Sequence, residues 1–433
     1  MASNTSLPLE LPPLPAYTLT PRPPLFAPIP DNIVALMLPI IAYWAVSMIF
    51  HIIDIYDLFP QYRLHTPAEL LKRNHVTRWD VVRDVVLQQV IQTIAGLILA
   101  QFDDIEYTGR EDYDVAVWAR RIRMMQRTLP GLLGLLGLDS AGLAKNLSGH
   151  PMLAGALSGG RYPSLVQKVI MDNGAEVIAP AFAGWELAVA SFIYYYLIPA
   201  FQFVWAISVV DTWQYFWHRA MHLNRWLYVM FHSRHHRLYV PYAFGALYNH
   251  PVEGFLLDTA GTGVAFLTSM MTHRQSMWFF TLSTIKTVDD HCGYAFPWDP
   301  LQHLTSNNAA YHDIHHQSWG IKTNFSQPFF IVWDRLMGTQ WKGDVSLRYE
   351  RARVAAQKQV DAERSQTATE ESKGETSSVT TPASARRNGS ITVSAEEADD
   401  LKARTILRKK TVALQADGGN SPSHRLTRGI IQN

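Results

Sequence analysis

The sequence predicts an all-α, multi-pass integral membrane bundle that carries a histidine-rich cap with a dimetal site and ends in a disordered tail. Three observations carry that expectation. Several stretches near 20 residues long are apolar and free of charge, the length a helix needs to cross a bilayer. Of the 17 histidines, 12 fall within the 99 residues from His218 to His316, where an even scatter would put about four. From about Leu347 onward Ser, Thr, Glu, Ala and Lys dominate, with almost no aromatic residue to bury. These shifts divide the chain into a proline-rich leader (1–31), transmembrane helices with their connecting loops (32–210), a histidine-bearing domain (211–345) and a tail (346–433).

Taken in order, the leader has no apolar run resembling a signal peptide, and its prolines favour extended chain. Membrane entry therefore falls to internal segments. Ile33–Ile53 contains no Lys, Arg, Asp or Glu and reads as the first crossing. Val85–Phe102 is also uncharged but carries Gln88, Gln89, Gln92 and Thr93, which are costly against lipid, so its amide face should turn into the bundle. Val177–Val210 contains one charge, Glu186, and is long enough for a single tilted crossing. Phe255–Ile285 has apolar stretches on either side of Met271, Thr272, His273 and Arg274, the polar tip of a hairpin. Lys72, Arg73, Arg78 and Arg83 place the first connection in the cytosol, and counting crossings forward puts the histidine region there too. The sequon at Asn388 lies in the tail and, on that count, is cytosolic and unused.

Composition excludes some chemistries. With 38 basic and 37 acidic residues the chain has no electrostatic footprint for nucleic acid. The single cysteine, Cys292, forbids an intramolecular disulfide and a thiolate metal cage, so any metal ligands are nitrogen or oxygen.

The histidines form three dense clusters: HRAMH (His218, His222), HSRHH (His232, His235, His236) and HDIHH (His312, His315, His316). On a helix, spacings of three and four residues bring imidazoles to one face, so each cluster reads as a ready ligand set. Neutral imidazoles present a lone pair at ordinary pH. Eight exceed what one ion can use, which implies two metals. His250 in NHPVEG and His291 in DDHCGY lie just outside apolar segments and raise the set to ten. His273 and His303 read better as ordinary polar residues. Asp211, Glu253, Asp289, Asp290 and Asp313 stand near the clusters and are candidates to accept the second N–H of a metal-bound histidine. Imidazole alone does not choose among zinc, copper, iron and nickel. A membrane-embedded site serves an apolar client, and attack on an unactivated C–H bond needs an oxidant made from dioxygen, which zinc cannot provide.

The motifs HRAMH, HSRHH, HPVEG, DDHCGY and HDIHH, followed by NFSQPFFIVWDRLMGT, resemble the fatty acid hydroxylase superfamily of membrane di-iron enzymes over roughly Asp211 to Trp341. The segments IAYWAVSMIFHIIDIYDLFPQYRLH, LLKRNHVTRWDVVRDVVLQQVIQTIAG and RLYVPYAFGALYNHPVEGFLLDT extend the likeness, toward the fungal sphinganine C4-hydroxylase branch, over most of Ile33 to Trp341. The resemblance implies an endoplasmic reticulum monooxygenase with two non-haem irons. It would use dioxygen, and electrons from NAD(P)H relayed through cytochrome b5 and its reductase, to hydroxylate C4 of sphinganine or dihydroceramide and give phytosphingosine or phytoceramide. The eight clustered histidines would be catalytic, with His250 and His291 as further metal ligands. The fused haem domain of fatty acid 2-hydroxylases is absent, whereas sterol C4-methyl oxidases share the HxxxH and HPxE patterns and stand as the alternative. Metal transport or storage, a reading of another class, would put ionisable ligands within the spans rather than beside them.

Overall fold

The computed structural model of this chain describes residues 11–170 and 176–376. Among those residues the architecture is helical, with two short antiparallel ribbons. Three helices are long and apolar enough to cross a membrane: α1 (Asp31–Ile55), α3 (Arg78–Leu99, continued by a 3₁₀ turn to Phe102) and α5 (Gly184–Leu223). Between them lie α2 (Pro67–Arg73) and α4 (Glu111–Gln126). The chain then forms α6 (Gly261–Ser269), α7 (His273–Asp290), α8 (Ala309–His316) and α9 (Ser346–Thr376).

Local chemistry sets the helix starts. Thr66 and Glu69 make a reciprocal capping box on α2, as do Thr272 and Gln275 on α7, and Thr77 accepts the Asp80 N–H at 3.1 Å to open α3. Met270, with φ of 53°, ends α6, and the following residues form the polar tip of the α6–α7 hairpin. Glu186 sits at the buried foot of α5, where Arg123 of α4 grips both its carboxylate oxygens.

The spanning helices are inside out relative to a water-soluble protein. Their outer faces are apolar and exposed, at Ile41, Ile49, Ile94, Ile98, Phe201 and Val204 among others, a surface that water would not tolerate and hydrocarbon does. Their inner faces carry the polar groups. Gln88 and Gln89 of α3 are buried, and Gln89 Oε1 accepts the Trp44 indole N–H at 2.9 Å, so the amide face does turn inward. At one end of the bundle Tyr43, Val81, Val85, Leu238, Tyr248, Val288, Phe296 and Ala309 form the largest apolar cluster, on which the histidine-bearing segments rest.

Three expectations change. Val177–Pro180 is not helix. Glu176–Pro180 pairs antiparallel with Val166–Ile170, and α5 starts only at Gly184. The described part of the leader, from residue 11, is not free: Thr20–Pro21 pairs with Tyr107–Thr108. Disorder from Leu347 is contradicted as far as Thr376, where α9 runs. Low hydrophobicity signalled disorder there, but Ala, Glu, Gln, Arg and Lys are also the strongest helix formers. Tyr349 donates to Asp313 at 2.5 Å, and Arg348 stacks over Trp319 and Trp341, fixing the first turn of α9. The chain divides into two compact units at Ser365, and the rest of the tail, with Asn388, lies outside the described residues.

Candidate metal centre

The last turns of α5 present His218 and His222, four residues apart on one buried face. Asn224 then caps the short helix Arg225–Met230, accepting from Trp226 and Leu227 N–H, and the chain returns as a 3₁₀ helix, His232–Arg237. His291 follows the end of α7. Asn308 starts α8 by accepting the Tyr311 N–H at 3.0 Å, which sets His312, His315 and His316 on the inner side. Asp211 of α5 accepts the Phe329 and Phe330 N–H groups at 3.0 and 2.9 Å, which ties the loop after α8 back to α5.

Nine imidazoles converge in two buried groups. His218, His222, His232, His236 and His315 form one, and His235, His291, His312 and His316 the other, each with its ligand atoms within 4.8 Å of one another. In the first group the Nε2 atoms crowd together: His222 to His232 at 2.7 Å, His236 to His232 at 3.0 Å, His236 to His222 at 3.1 Å and His218 to His232 at 3.1 Å. In the second, His312 Nε2 lies 3.1 Å from both His291 Nε2 and His316 Nε2. The groups adjoin, with the rings of His236 and His316 5.3 Å apart.

The outward nitrogens explain this crowding. His218 Nδ1–H donates to Phe325 O at 2.9 Å, His291 to Thr287 O at 2.8 Å, His315 to Thr323 O at 2.7 Å and His316 to Leu238 O at 2.8 Å, while His232 Nδ1 meets Glu253. In these four rings backbone carbonyls hold the proton on Nδ1 and leave Nε2 with a lone pair pointing inward. Burial pushes His232, His235 and His291 down to about 3, so these rings stay neutral. Ring nitrogens gathered this closely around two points, with Nε2 of His218, His291, His315 and His316 turned inward as acceptors and the buried His315 Nε2 without a partner, fit cations at the foci. Two adjacent all-imidazole sets fit a pair of transition metal ions.

The sets do not follow the sequence clusters. HSRHH is a 3₁₀ turn, not an α-helix, and it sends His232 and His236 to one set and His235 to the other. HDIHH is likewise divided, His315 going to the first set and His312 and His316 to the second. The expectation that each cluster is a ligand set is therefore corrected for HSRHH and HDIHH, each of which is divided between the two sets.

His250 joins neither set. It caps the segment Pro251–Gly254, accepting the Val252 N–H at 3.2 Å, and packs on Phe231. The turn it initiates aims Glu253 at the site. His273 faces Asp103 at 3.6 Å, and neither it nor His303 joins the sets. Of the five carboxylates, only Glu253 touches a clustered histidine. Asp289 accepts from Gln302, Asp290 binds Lys286 and Asn307, and Asp313 binds His65 and Tyr349.

Two features escaped the sequence reading. His65 is buried between Glu69 at 3.0 Å and Asp313 at 2.9 Å, and Arg73 reaches Glu69 and Gln317, so α2 braces the back of α8. Asp258 lies in the π-helical turn Phe255–Ala260. There two cavities share a wall: a mostly apolar one of about 210 Å³ among α1, α3, α5, α6 and α7, and a small one of about 30 Å³ against the histidines. Neither His65 nor Asp258 belongs to a repeated spacing that would single it out.

Residues 203–339 match the family model for fatty acid hydroxylase. Over 344 residues the chain is 43% identical to the sphingolipid C4-hydroxylase SUR2 of Saccharomyces cerevisiae, covering 79% of this chain and 82% of that protein. It is 41% identical to the sphingolipid C4-hydroxylase sur2 of Schizosaccharomyces pombe, covering 74% of this chain and 92% of that one. With sphinganine C4-monooxygenase 1 of Arabidopsis thaliana it shares 37% identity over 71% of this chain and 87% of the other. No solved structure matches. Histidines that converge from four separate stretches, in a chain this similar along most of its length to those relatives, make it a member of the fatty acid hydroxylase family of enzymes.

Proposed function

We propose that this protein is a sphingolipid C4-hydroxylase that inserts one atom of dioxygen into the C4–H bond of sphinganine or its N-acyl form. The product is phytosphingosine or phytoceramide, and the second oxygen atom leaves as water with two electrons and two protons. Two non-haem irons are the metals of this reading, held by His218, His222, His232, His236 and His315 and by His235, His291, His312 and His316. Bound there, iron supplies the activation of dioxygen that an unactivated C–H bond demands and zinc cannot give.

The observation that carries the reading is the shared wall of the two cavities. Gln214, Asp258 and Thr287 line both the apolar cavity and the small one bounded by His218, His232, His235, His291 and His312. A long alkyl chain held among Leu36, Ile40, Phe266 and Phe280 would therefore present one carbon beside the histidines. The chain's own residues do the orienting. Glu253 steadies the His232 ring, the carbonyls of Phe325, Thr287, Thr323 and Leu238 fix four others, and Asp211 holds the loop that carries the Phe325 carbonyl. In this proposal the enzyme resides in the endoplasmic reticulum membrane with its site toward the cytosol. Electrons pass from NAD(P)H through a cytochrome b5-type donor.

Expression in cells that lack phytosphingosine, followed by mass spectrometry of sphingoid bases, tests the proposal. Appearance of a base 4-hydroxylated only when dioxygen and the reductant are present is the expected result. Stable protein that yields none, or that oxidises a 4-methylsterol in its place, would overturn it.

A further inference from the structure

The apolar cavity ends in polar chemistry beside the histidines, and the centre of that chemistry is Asp258. Its carboxylate accepts from Gln214 Nε2 and Asn249 Nδ2, both at a long 3.4 Å. Among the described residues no Lys, Arg or His pairs with it. A carboxylate offers about four acceptor positions, and one kept from bulk water without a cation is costly. The neighbouring Thr259 hydroxyl, also on the cavity wall, is buried and has no partner. The π-helical turn Phe255–Ala260 creates this arrangement by adding a residue to the helix where it passes the cavity, a device that recurs at functional sites.

These open positions call for a ligand rich in donors. In a long-chain base the hydroxyl oxygen on C3 lies two bonds from C4 and the amino nitrogen on C2 three. Whatever recognises them must therefore stand next to the reacting carbon, where the apolar wall gives way to Gln214, Asp258 and Thr287. We propose that Asp258 is the specificity-determining contact for the ammonium group of the substrate, with Gln214, Asn249 and Thr259 around it, so that the enzyme prefers the free base to its N-acyl form. An N-acyl nitrogen is neutral and would leave the carboxylate without a counter-charge. The inference rests on the hydroxylase reading above and adds to it the residue that selects the head group.

Microsomes containing the full-length chain, wild type or Asp258→Asn, are titrated with sphinganine and with N-acetylsphinganine, and the 4-hydroxylated products and the iron per polypeptide are measured. The expected result is a KM for sphinganine raised about tenfold or more in Asp258→Asn, the size of a lost charge-assisted hydrogen bond. Iron content stays at the wild-type level, kcat changes less than KM, and the preference for the free base is lost. Asp258→Glu should recover part of the affinity. An Asp258→Asn enzyme with the wild-type KM for sphinganine overturns the proposal. Should that variant fail to accumulate, the wild-type enzyme decides: a KM about tenfold lower for sphinganine than for the N-acetyl compound supports the contact, and equal values overturn it. A wild-type enzyme that hydroxylates neither compound refutes the hydroxylase reading itself and this contact with it, an outcome distinct from an active enzyme indifferent to Asp258.

Discussion

At the scale of single residues, His315 and His250 separate two kinds of histidine that look alike in the sequence. His315 donates from Nδ1 to Thr323 O and leaves Nε2 buried and bare, whereas His250 spends its Nδ1 on capping a turn. His315→Ala should lose bound iron and drop product formation at least about 100-fold, by analogy with the cost of disturbing metal-site partners. His250→Ala should keep its iron and lose about 1 kcal/mol of stability, the value of a helix cap. Iron quantified per polypeptide, alongside thermal unfolding, checks both. His65 offers a second test. Burial opposes its protonation, but Asp313 and Glu69 outweigh burial and raise it to about 9, against an ordinary value near 6.5. The stabilisation from the charged ring is therefore complete below about pH 6.5 and disappears as the pH rises through about 9. Wild-type protein should lose up to a few kcal/mol of stability across that window, and His65→Gln, unfolded at the same series of pH values, should lose much less. The clustered histidines were legible because their spacing repeats. Lone residues such as His65 and Asp258 were silent because only the tertiary fold gives them partners.

At the scale of elements, hydropathy located the three helices long and apolar enough to cross a membrane, since a bilayer imposes length and apolarity on any helix that crosses it, whereas the helices of the Phe255–Ile285 hairpin are not among them. It misjudged Val177–Pro180, where a short apolar run reads alike as buried helix or strand. It also missed the π-turn Phe255–Ala260 and the 3₁₀ geometry of HSRHH, which the pattern of residue types does not encode. One contact between elements is open to direct test. Gly254, the residue after Glu253, lies against the Gln88 carboxamide of α3, which has no hydrogen-bond partner, and a Cβ there would collide with that amide. Gly254→Ala should displace Glu253 from His232 and cost about 1 to 3 kcal/mol, as overpacking does. Adding Gln88→Ala should restore much of the loss. A double-mutant cycle on thermal stability and iron content measures the coupling.

At the scale of the whole molecule, three helices are long and apolar enough to cross a membrane, and the five-and-four partition of imidazoles lies where α5, α7, α8 and the 3₁₀ turn meet. Nine imidazoles buried around two foci are poorly satisfied by one another, so metal should contribute strongly to folding. Chelation of iron from purified enzyme should lower the unfolding temperature by several degrees or more, and readdition should restore it. Calorimetry in detergent checks this; an unchanged transition would contradict it.

Because His235 stands beside His236, and His315 beside His316, the same two peptide stretches serve both foci. Capture of the first ion immobilises the stretches that carry three of the five, or three of the four, donors the second requires, and release of either loosens both. Titration of the apoprotein with ferrous ion should accordingly saturate as a cooperative pair, with little of the singly charged form along the way.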